Sequence, residues 1–450
     1  MQLCATGVKR QFQNTKGAVI ACTVTKGTVA DRRMLRVCCV CAAFEVKTQS
    51  CRTTANTALD LVFWEANIRL ALCFSNGLSQ CMTYPRYTPL IDSLPTTVPF
   101  VGPESQERAM GAPFRARLGA NESVFGPSPA AIQAMRDEAA HLWKYGDPTS
   151  HELNMALAKH HGIGVENLVV GEGIDGLLGY VVRMLVRAGD AVVTSDGAYP
   201  TFNYHVVGFG GDLHKVPYWG DHEDPQALVA KASELNAKLV YLANPDNPMG
   251  TWHPAETIMS ALDTLPDGCL LILDEAYIEF APDGTAPAIN VDDPRLIRMR
   301  TFSKGYGMAG ARVGYAIGQS ELIGNFDKIR NHFGMNRAAQ AGALAALNDP
   351  DWLDLVRTRV ARSRDAITAI ARDNGLSTLP SATNFVAVDC HRDGVFAQRV
   401  LAALLQLGLF VRMPFVAPHN RCIRISAGTA EDMQLLAQAL PEALKIARQS

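Results

Sequence analysis

Residues 238–277 read KLVYLANPDNPMGTWHPAETIMSALDTLPDGCLLILDEAY. Two apolar runs of β-strand length, KLVYLA from Lys238 and CLLILD from Cys269, flank a stretch from Pro254 to Leu265 whose apolar residues recur at helical spacing. Strand, helix, strand in that order predicts a βαβ unit and hence parallel pairing. The pattern extends to both sides. AVVTS from Ala191 and RVGYAIG from Arg312 are again short apolar runs bounded by Gly, Pro or Asp, so an α/β domain on a mostly parallel sheet is expected.

Upstream, Ser128-Pro129 supplies an N-cap and a first-turn proline for a helix running through Ala140, and Ile174 to Val186 has helical apolar spacing. Beyond about residue 345 the texture changes. A long helix near Trp352 to Asn374, strand FVAVD at 385, a helix to Leu407, strands LFVRM at 409 and CIRIS at 422, and a closing helix predict a smaller α+β domain. The expected organisation is an arm and first helix over 82–150, a large domain over 151–340 and a small C-terminal domain over 341–450.

Residues 1–81 stand apart, with ten Lys or Arg against four Asp or Glu and eight of the eleven cysteines. They show no clear period-2 or period-3.6 run, and the texture changes sharply at Met82, where a Pro-rich stretch begins. A targeting peptide, a small unrecognised domain and sequence translated upstream of the true start are the competing readings. The last is favoured, so the segment is expected to be disordered or a spurious extension. A formal charge of -2 and a pI near 6.6 give no bulk attraction to nucleic acid or an anionic membrane. The most apolar stretch, Ala58 to Phe74, is broken by Asp60, Glu65 and Arg69 and is too short to span a bilayer. The sparse cysteines of the body suit a reduced, cytoplasmic protein.

In open α/β sheets ligands lie beyond the carboxyl ends of the strands. Polar clusters sit at those places: Tyr199-Pro200 after AVVTS, Asn244 to Gly250 after KLVYLA, Asp274 to Tyr277 after CLLIL, and Thr301 to Lys304 after the run from Leu296 to Arg300. Taken one at a time each also reads as a turn, a strand-end acidic pair or ordinary surface. Their order decides the matter, because Asn247, Asp274, Lys304 and Arg312 follow one another in a set with GANES at 119, KYGDPTSHEL at 144, GEGIDGLL at 171, SATNF at 381 and IRISAGT at 423. This set resembles the fold-type-I, aspartate-aminotransferase-like pyridoxal-phosphate aminotransferases, most closely their histidinol-phosphate branch, over roughly 115 to 445.

The resemblance implies pyridoxal 5′-phosphate as cofactor and a role for each matching residue. Lys304 is to carry the cofactor and shuttle a proton, as a partly desolvated lysine can. Asp274 is to hold the protonated ring nitrogen, Tyr277 and Asn247 are to bond the ring oxygen, and Tyr199 is to lie against the ring face. The amides of Ile174 and Asp175 at a helix N-terminus, the Ser303 hydroxyl and Arg312 are the implied phosphate cradle, although Gly176 stands where the family usually has an acidic residue. Arg424 matches the carboxylate-binding arginine, Asn121 is to close over the same region, and Tyr145 is to reach the phosphate of a neighbouring subunit, which implies a homodimer. No metal site is expected: His160-His161 suits a helix end before Gly162, and Cys390-His391 lacks a partnering motif.

Transfer of an amino group between an amino acid or phosphorylated amino alcohol, histidinol-phosphate-like or aromatic, and a 2-oxo acid such as 2-oxoglutarate is therefore expected. A threonine-phosphate-decarboxylase-like lyase on the same scaffold and an aminotransferase-like transcription regulator are the alternatives. The first is separated by stoichiometric formation of glutamate, and the second lacks any helix-turn-helix periodicity in the basic segment. Arg330, His332 and Arg337 are cationic candidates for the distal group of the substrate, with nothing in the sequence to choose among them. A chain begun at Met82 should fold, bind cofactor and transaminate like the full-length chain; loss of solubility or of cofactor binding on truncation contradicts this.

Overall fold

The computed structural model describes the backbone of residues 8–13, 19–26, 34–39 and 42–47, and residues 85–96 and 101–449 with their side chains. The chain divides into two units, Met1–Arg86 and Tyr87–Ser450. In the first, β1 (Val8–Gln13), β2 (Val19–Lys26), β3 (Met34–Cys39) and β4 (Ala42–Lys47) pair antiparallel in chain order. The ladder forms without any clear alternation of apolar and polar residues, which backbone pairing does not require. The stretch from Ala58 to Phe74 lies outside the described residues.

The second unit is built on a seven-stranded sheet in the order β6 (Leu168–Gly171), β12 (Gly314–Ile317), β11 (Leu296–Thr301), β10 (Leu270–Asp274), β9 (Leu239–Ala243), β7 (Ala191–Ser195), β8 (Asp212–Val216). All neighbouring pairs are parallel except those of β12, which runs antiparallel to both β11 and β6. The expected mostly parallel sheet is therefore present. Every residue of β9 and β10 is buried, as happens when helices cover both faces of a parallel sheet. Leu239, Tyr241 and Ala243 join one apolar cluster with helix Gly173–Leu185 and Phe202, whereas Val240 and Leu242 join the opposite one with helices Pro225–Leu235 and Ala255–Asp263.

The smaller lobe carries β13 (Ser377–Thr378), β14 (Phe385–Asp389) and β16 (Cys422–Ser426) as one antiparallel sheet. Its core gathers residues of helices Pro350–Asp373, Gly394–Gln406 and Ala430–Gln449. It also draws in Ala116 and Leu118 from the far end of the chain. There β5 (Ala116–Arg117) pairs parallel with β15 (Leu409–Phe410), a long-range contact with no signal in local periodicity.

The expected strand LFVRM is a ladder only over Leu409–Phe410. At Arg412 the chain crosses to bridge Arg424 of β16, and Pro414, which lacks an N–H, follows. This departure carries the segment from the small lobe to the rim of the large sheet's carboxyl edge.

Candidate active site

Beyond the carboxyl ends of β7, β9, β10 and β11 the chain encloses a cavity of about 370 Å³. Asn121, Ile174, Asp175, Tyr199, Asn247, Asp274, Tyr277, Ser303, Lys304, Arg312 and Arg424, all singled out by sequence, line it together. Lys304 is the one lysine among the lining residues. Its Nζ donates to the Asn121 carbonyl at 3.1 Å and lies 5.5 Å from the centre of the Tyr277 ring.

Asp274 ends β10 with 5% exposure. The register that pairs it with Ala243 brings Tyr241 of β9 within reach, and the Tyr241 hydroxyl donates to Asp274 Oδ2 at 2.6 Å while the Ala276 amide donates to Oδ1 at 2.9 Å. Burial raises the Asp274 carboxyl to about 6, against those two hydrogen bonds and with the nearby charges of Asp175 and Glu275. Glu275, next in the chain, goes elsewhere: it pairs with Arg298 at 2.6 Å and Arg300 at 2.8 Å inside the protein. The strand-end pair DEAY thus splits into a residue facing the cavity and one that closes a buried ion cluster.

Tyr277 and Asn121 form the next layer. Asn121 Nδ2 donates to the Tyr277 hydroxyl at 3.0 Å and Asn247 Nδ2 approaches it at 3.4 Å. Asn121 is itself fixed by Ser426, whose hydroxyl donates to Asn121 Oδ1, and by Asn384 of the SATNF stretch, which donates to the Asn121 and Glu122 carbonyls.

At one side of the cavity Arg312, in the left-handed conformation with φ 57°, reaches Ser303 Oγ at 3.4 Å and Asp175 Oδ2 at 3.3 Å. Tyr199 donates to Asp175 Oδ1 at 3.0 Å, and burial raises its phenol. The start of helix Gly173–Leu185 packs here without room for a side chain. Gly173 has φ 76°, a conformation that side chains rarely adopt, and a Cβ on Gly314 of β12 would meet Ile174 N at 2.7 Å. Free amides at a helix start, a hydroxyl and a guanidinium held this close form an anion cradle. Beyond the amide expected from the motif, the carboxylate of Asp175 ties Tyr199 to Arg312.

At the opposite side Arg424 of β16 donates to Asn247 Oδ1 at 2.5 Å and to the Gly119 carbonyl at 3.3 Å, and its ring-facing guanidinium lies 5.2 Å from Phe385. Burial brings it down to about 10, and its Nε has no partner among the described residues. Arg412 lines the same end, donating to the Val101 carbonyl at 3.0 Å. Arg412 and Tyr241 lie outside the set of residues that the motifs single out. Arg412 follows an apolar run, the same signal that exposed Asn244 and Asp274, and Tyr241 is a hydroxyl inside an apolar strand, which needs a buried partner.

Tyr145 is absent from this cavity. It is 79% exposed, with its ring 4.9 Å from that of Phe333. Arg330 pairs with Asp327 and Arg337 with Glu138, and Arg330 and His332 border a separate small cleft. None of the three lines the cavity of its own chain.

A doubly covered parallel sheet with one lysine, a strand-end aspartate and an anion cradle at its carboxyl edge defines an enzyme of the aspartate-aminotransferase fold. The chain belongs to the aminotransferase class I and II family, whose pattern matches residues 116–440, and whose members depend on pyridoxal 5′-phosphate. The similarity narrows to one branch. A histidinol-phosphate aminotransferase of Sinorhizobium meliloti, solved in complex with pyridoxal-5′-phosphate, is 53% identical with a TM-score of 0.79, covering 81% of this chain and 99% of that one. The histidinol-phosphate aminotransferase of Moorella thermoacetica is 31% identical over 80% of this chain and 94% of its own length. That of Anaeromyxobacter sp. is 34% identical over 79% and 98%.

The raised Asp274 carboxyl has a consequence for stability. In the unfolded chain it titrates near 3.8 and in the cofactor-free fold near 6, so the folded form binds the proton more tightly. The cost of ionising it is absent below pH 4, grows as pH rises through that window, and is complete above about 6. Cofactor-free Asp274→Asn should be more stable than the parent at pH 7.5 by up to about 3 kcal/mol, the gap closing as pH falls toward 4. Denaturant unfolding at both pH values checks this; an Asn variant less stable at pH 7.5 contradicts it.

Proposed function

We propose that this aminotransferase moves the amino group between histidinol phosphate, or a closely similar phosphorylated amino alcohol, and a 2-oxo acid such as 2-oxoglutarate. The observation that carries the reading is the pair Arg412 and Arg424, bridged to each other through their backbones at one end of the cavity, with a buried guanidinium nitrogen of Arg424 that no group among the described residues satisfies. An unsatisfied buried donor is costly, and an anionic substrate group supplies its partner. A phosphate on the donor and a carboxylate on the acceptor share that chemistry. The names of the relatives favour the phosphorylated donor.

The residues present fit pyridoxal phosphate. Gly173, Ile174, Asp175, Ser303 and Arg312 would hold its phosphate, Asp274 its ring nitrogen, Tyr277 and Asn247 its ring oxygen, and Tyr199 its face. When bound it supplies a sink for the electrons left at the substrate's α-carbon. Lys304 would hold it covalently and then carry a proton to and from that carbon. The Asn121 carbonyl, 3.1 Å from Nζ, keeps the amine at the cavity floor. Arg424 and Arg412 orient the substrate from its anionic end. Lys304→Ala should abolish turnover and borohydride trapping of the cofactor. Arg424→Ala should keep the cofactor and raise the KM for 2-oxoglutarate by roughly tenfold or more. Near-normal affinity for the oxo acid in Arg424→Ala, or no glutamate formed from histidinol phosphate and 2-oxoglutarate, sinks the reading.

We further infer a homodimer. Leu142, Trp143, Tyr145 and Phe333 are exposed by 54%, 80%, 79% and 53%, and a cluster of exposed aromatic side chains marks an interface. A second copy would cover them, with Tyr145 reaching the neighbour's site. The buried thiols of Cys269, Cys390 and Cys422, which form no disulfide, suit the cytoplasmic location read from the sequence. Sedimentation should give a dimer that Trp143→Asp weakens; a fully active parent monomer contradicts it.

A further inference from the structure

Beneath the loop that carries Asn247 lie two carboxyl groups that the reaction does not use. Glu223 and Asp246 are 1% and 2% exposed, and each acts on the other's titration. Glu223 Oε2 accepts from the Ser195 hydroxyl at 2.5 Å, at the end of β7, and Oε1 from the Ala243 amide at 3.1 Å, at the end of β9. Asp246 Oδ1 accepts from the Tyr218 hydroxyl at 2.9 Å and Oδ2 from the Met249 amide at 2.9 Å. Each oxygen therefore already has a donor from another residue. A bond between two carboxyls requires that one of them keep its proton, and two adjacent buried charges are strongly unfavourable. The groups acting on the pair are Ser195 at the end of β7, Tyr218, Tyr241 of β9 and Arg424 of β16, while Asp196 acts on Tyr218 and His253 Nε2 meets the Glu223 main-chain carbonyl. Of these only Arg424 is a fixed cation, and it bonds Asn247 rather than either carboxyl.

The pair is coupled to the anion end of the cavity by one peptide bond. Asp246 N donates to the Thr251 carbonyl at 2.8 Å and the Asp246 carbonyl accepts from Gly250 N at 3.2 Å, which closes the turn on both sides of Asn247. Asn247 then meets Arg424 at 2.5 Å and Tyr277 at 3.4 Å. We propose that Glu223 and Asp246, joined by one shared proton, are positioning residues that seat the Asn247 turn and, through it, aim Arg424 at the anionic group of the substrate. This rests on the reading of Arg424 as the anion grip. Burial pushes both carboxyls above the usual range, and at Glu223 the neighbouring charge of Asp246 adds to it. The pair therefore holds a proton to higher pH than free carboxyls do, and once it is lost the two charges repel and the turn loosens.

The test is steady-state kinetics of the holoenzyme with histidinol phosphate and varied 2-oxoglutarate from pH 6.5 to 9.5. In the parent the KM for 2-oxoglutarate should rise toward alkaline pH by roughly tenfold, the worth of one charge-assisted hydrogen bond, with kcat changing less. Glu223→Gln offers an amide proton that does not titrate, so the alkaline rise should disappear. Glu223→Ala strands the Ser195 and Ala243 donors and should raise the KM at every pH while the cofactor stays bound. If that variant does not fold, Glu223→Gln decides alone. An alkaline rise in Glu223→Gln equal to the parent's, or variants that melt earlier with unchanged KM, overturns the proposal while leaving Arg424 in its role. An unchanged KM in Arg424→Ala removes the anion grip itself, and with it the proposal.

Discussion

A carboxylate buried at the end of a strand sets the terms for the rest of this molecule. Asp274 stands where β10 stops, held by one phenol and one amide, in surroundings that make its charge costly. It can be held there because the sheet is parallel and covered on both faces, so that β9 and β10 run in the same direction and end together. The register then sets Tyr241 two residues short of the strand end and beside the carboxylate. A site that must hold a charge out of water needs walls that do not relax, and two apolar layers behind β9 and β10 supply them.

From that floor the cavity has two anion-seeking ends of different construction. One is backbone: a helix start drawn against β12 so closely that a Cβ on Gly314 would strike the Gly173–Ile174 peptide. The other is side chain: Arg424 on the small lobe's sheet, tied to the large lobe's Asn247, with Arg412 crossing over from β15. The first is rigid because a peptide cannot be displaced without moving the helix. The second spans two lobes through long, hydrogen-bonded side chains and the Asn247 turn, so its aim depends on what lies under that turn.

Polar networks behind the cavity divide the labour. Glu275 pairs with Arg298 and Arg300 away from the cavity, and Asn384 grips the Asn121 loop through two carbonyls. Breaking one member of such a buried cluster leaves its partners desolvated and unpaired, a larger loss than the interaction's own net worth. These residues lie behind the cavity lining, yet they fix the Asn121 loop and the end of β10 that carries Asp274.

Much of this was legible from the chain alone, for a physical reason. Strands of a doubly covered parallel sheet must be continuously apolar, and the chemistry must sit just past their ends, so local runs such as KLVYLA and CLLILD announce both the sheet and the places of Asn247 and Asp274. The order of those motifs, completed by Lys304 and Arg312, was enough to name the family. What no local pattern carries is which partners meet across long separations. The pairing of β5 with β15, the Tyr241 hydroxyl on Asp274, the parting of Asp274 from Glu275, the contact of Glu223 with Asp246, and the place of Arg412 at the end of the cavity join residues distant in sequence or turn neighbours in opposite directions. Periodicity records which side of an element is apolar, whereas side-chain partnership depends on the register and crossing of elements, which only the packed tertiary structure fixes.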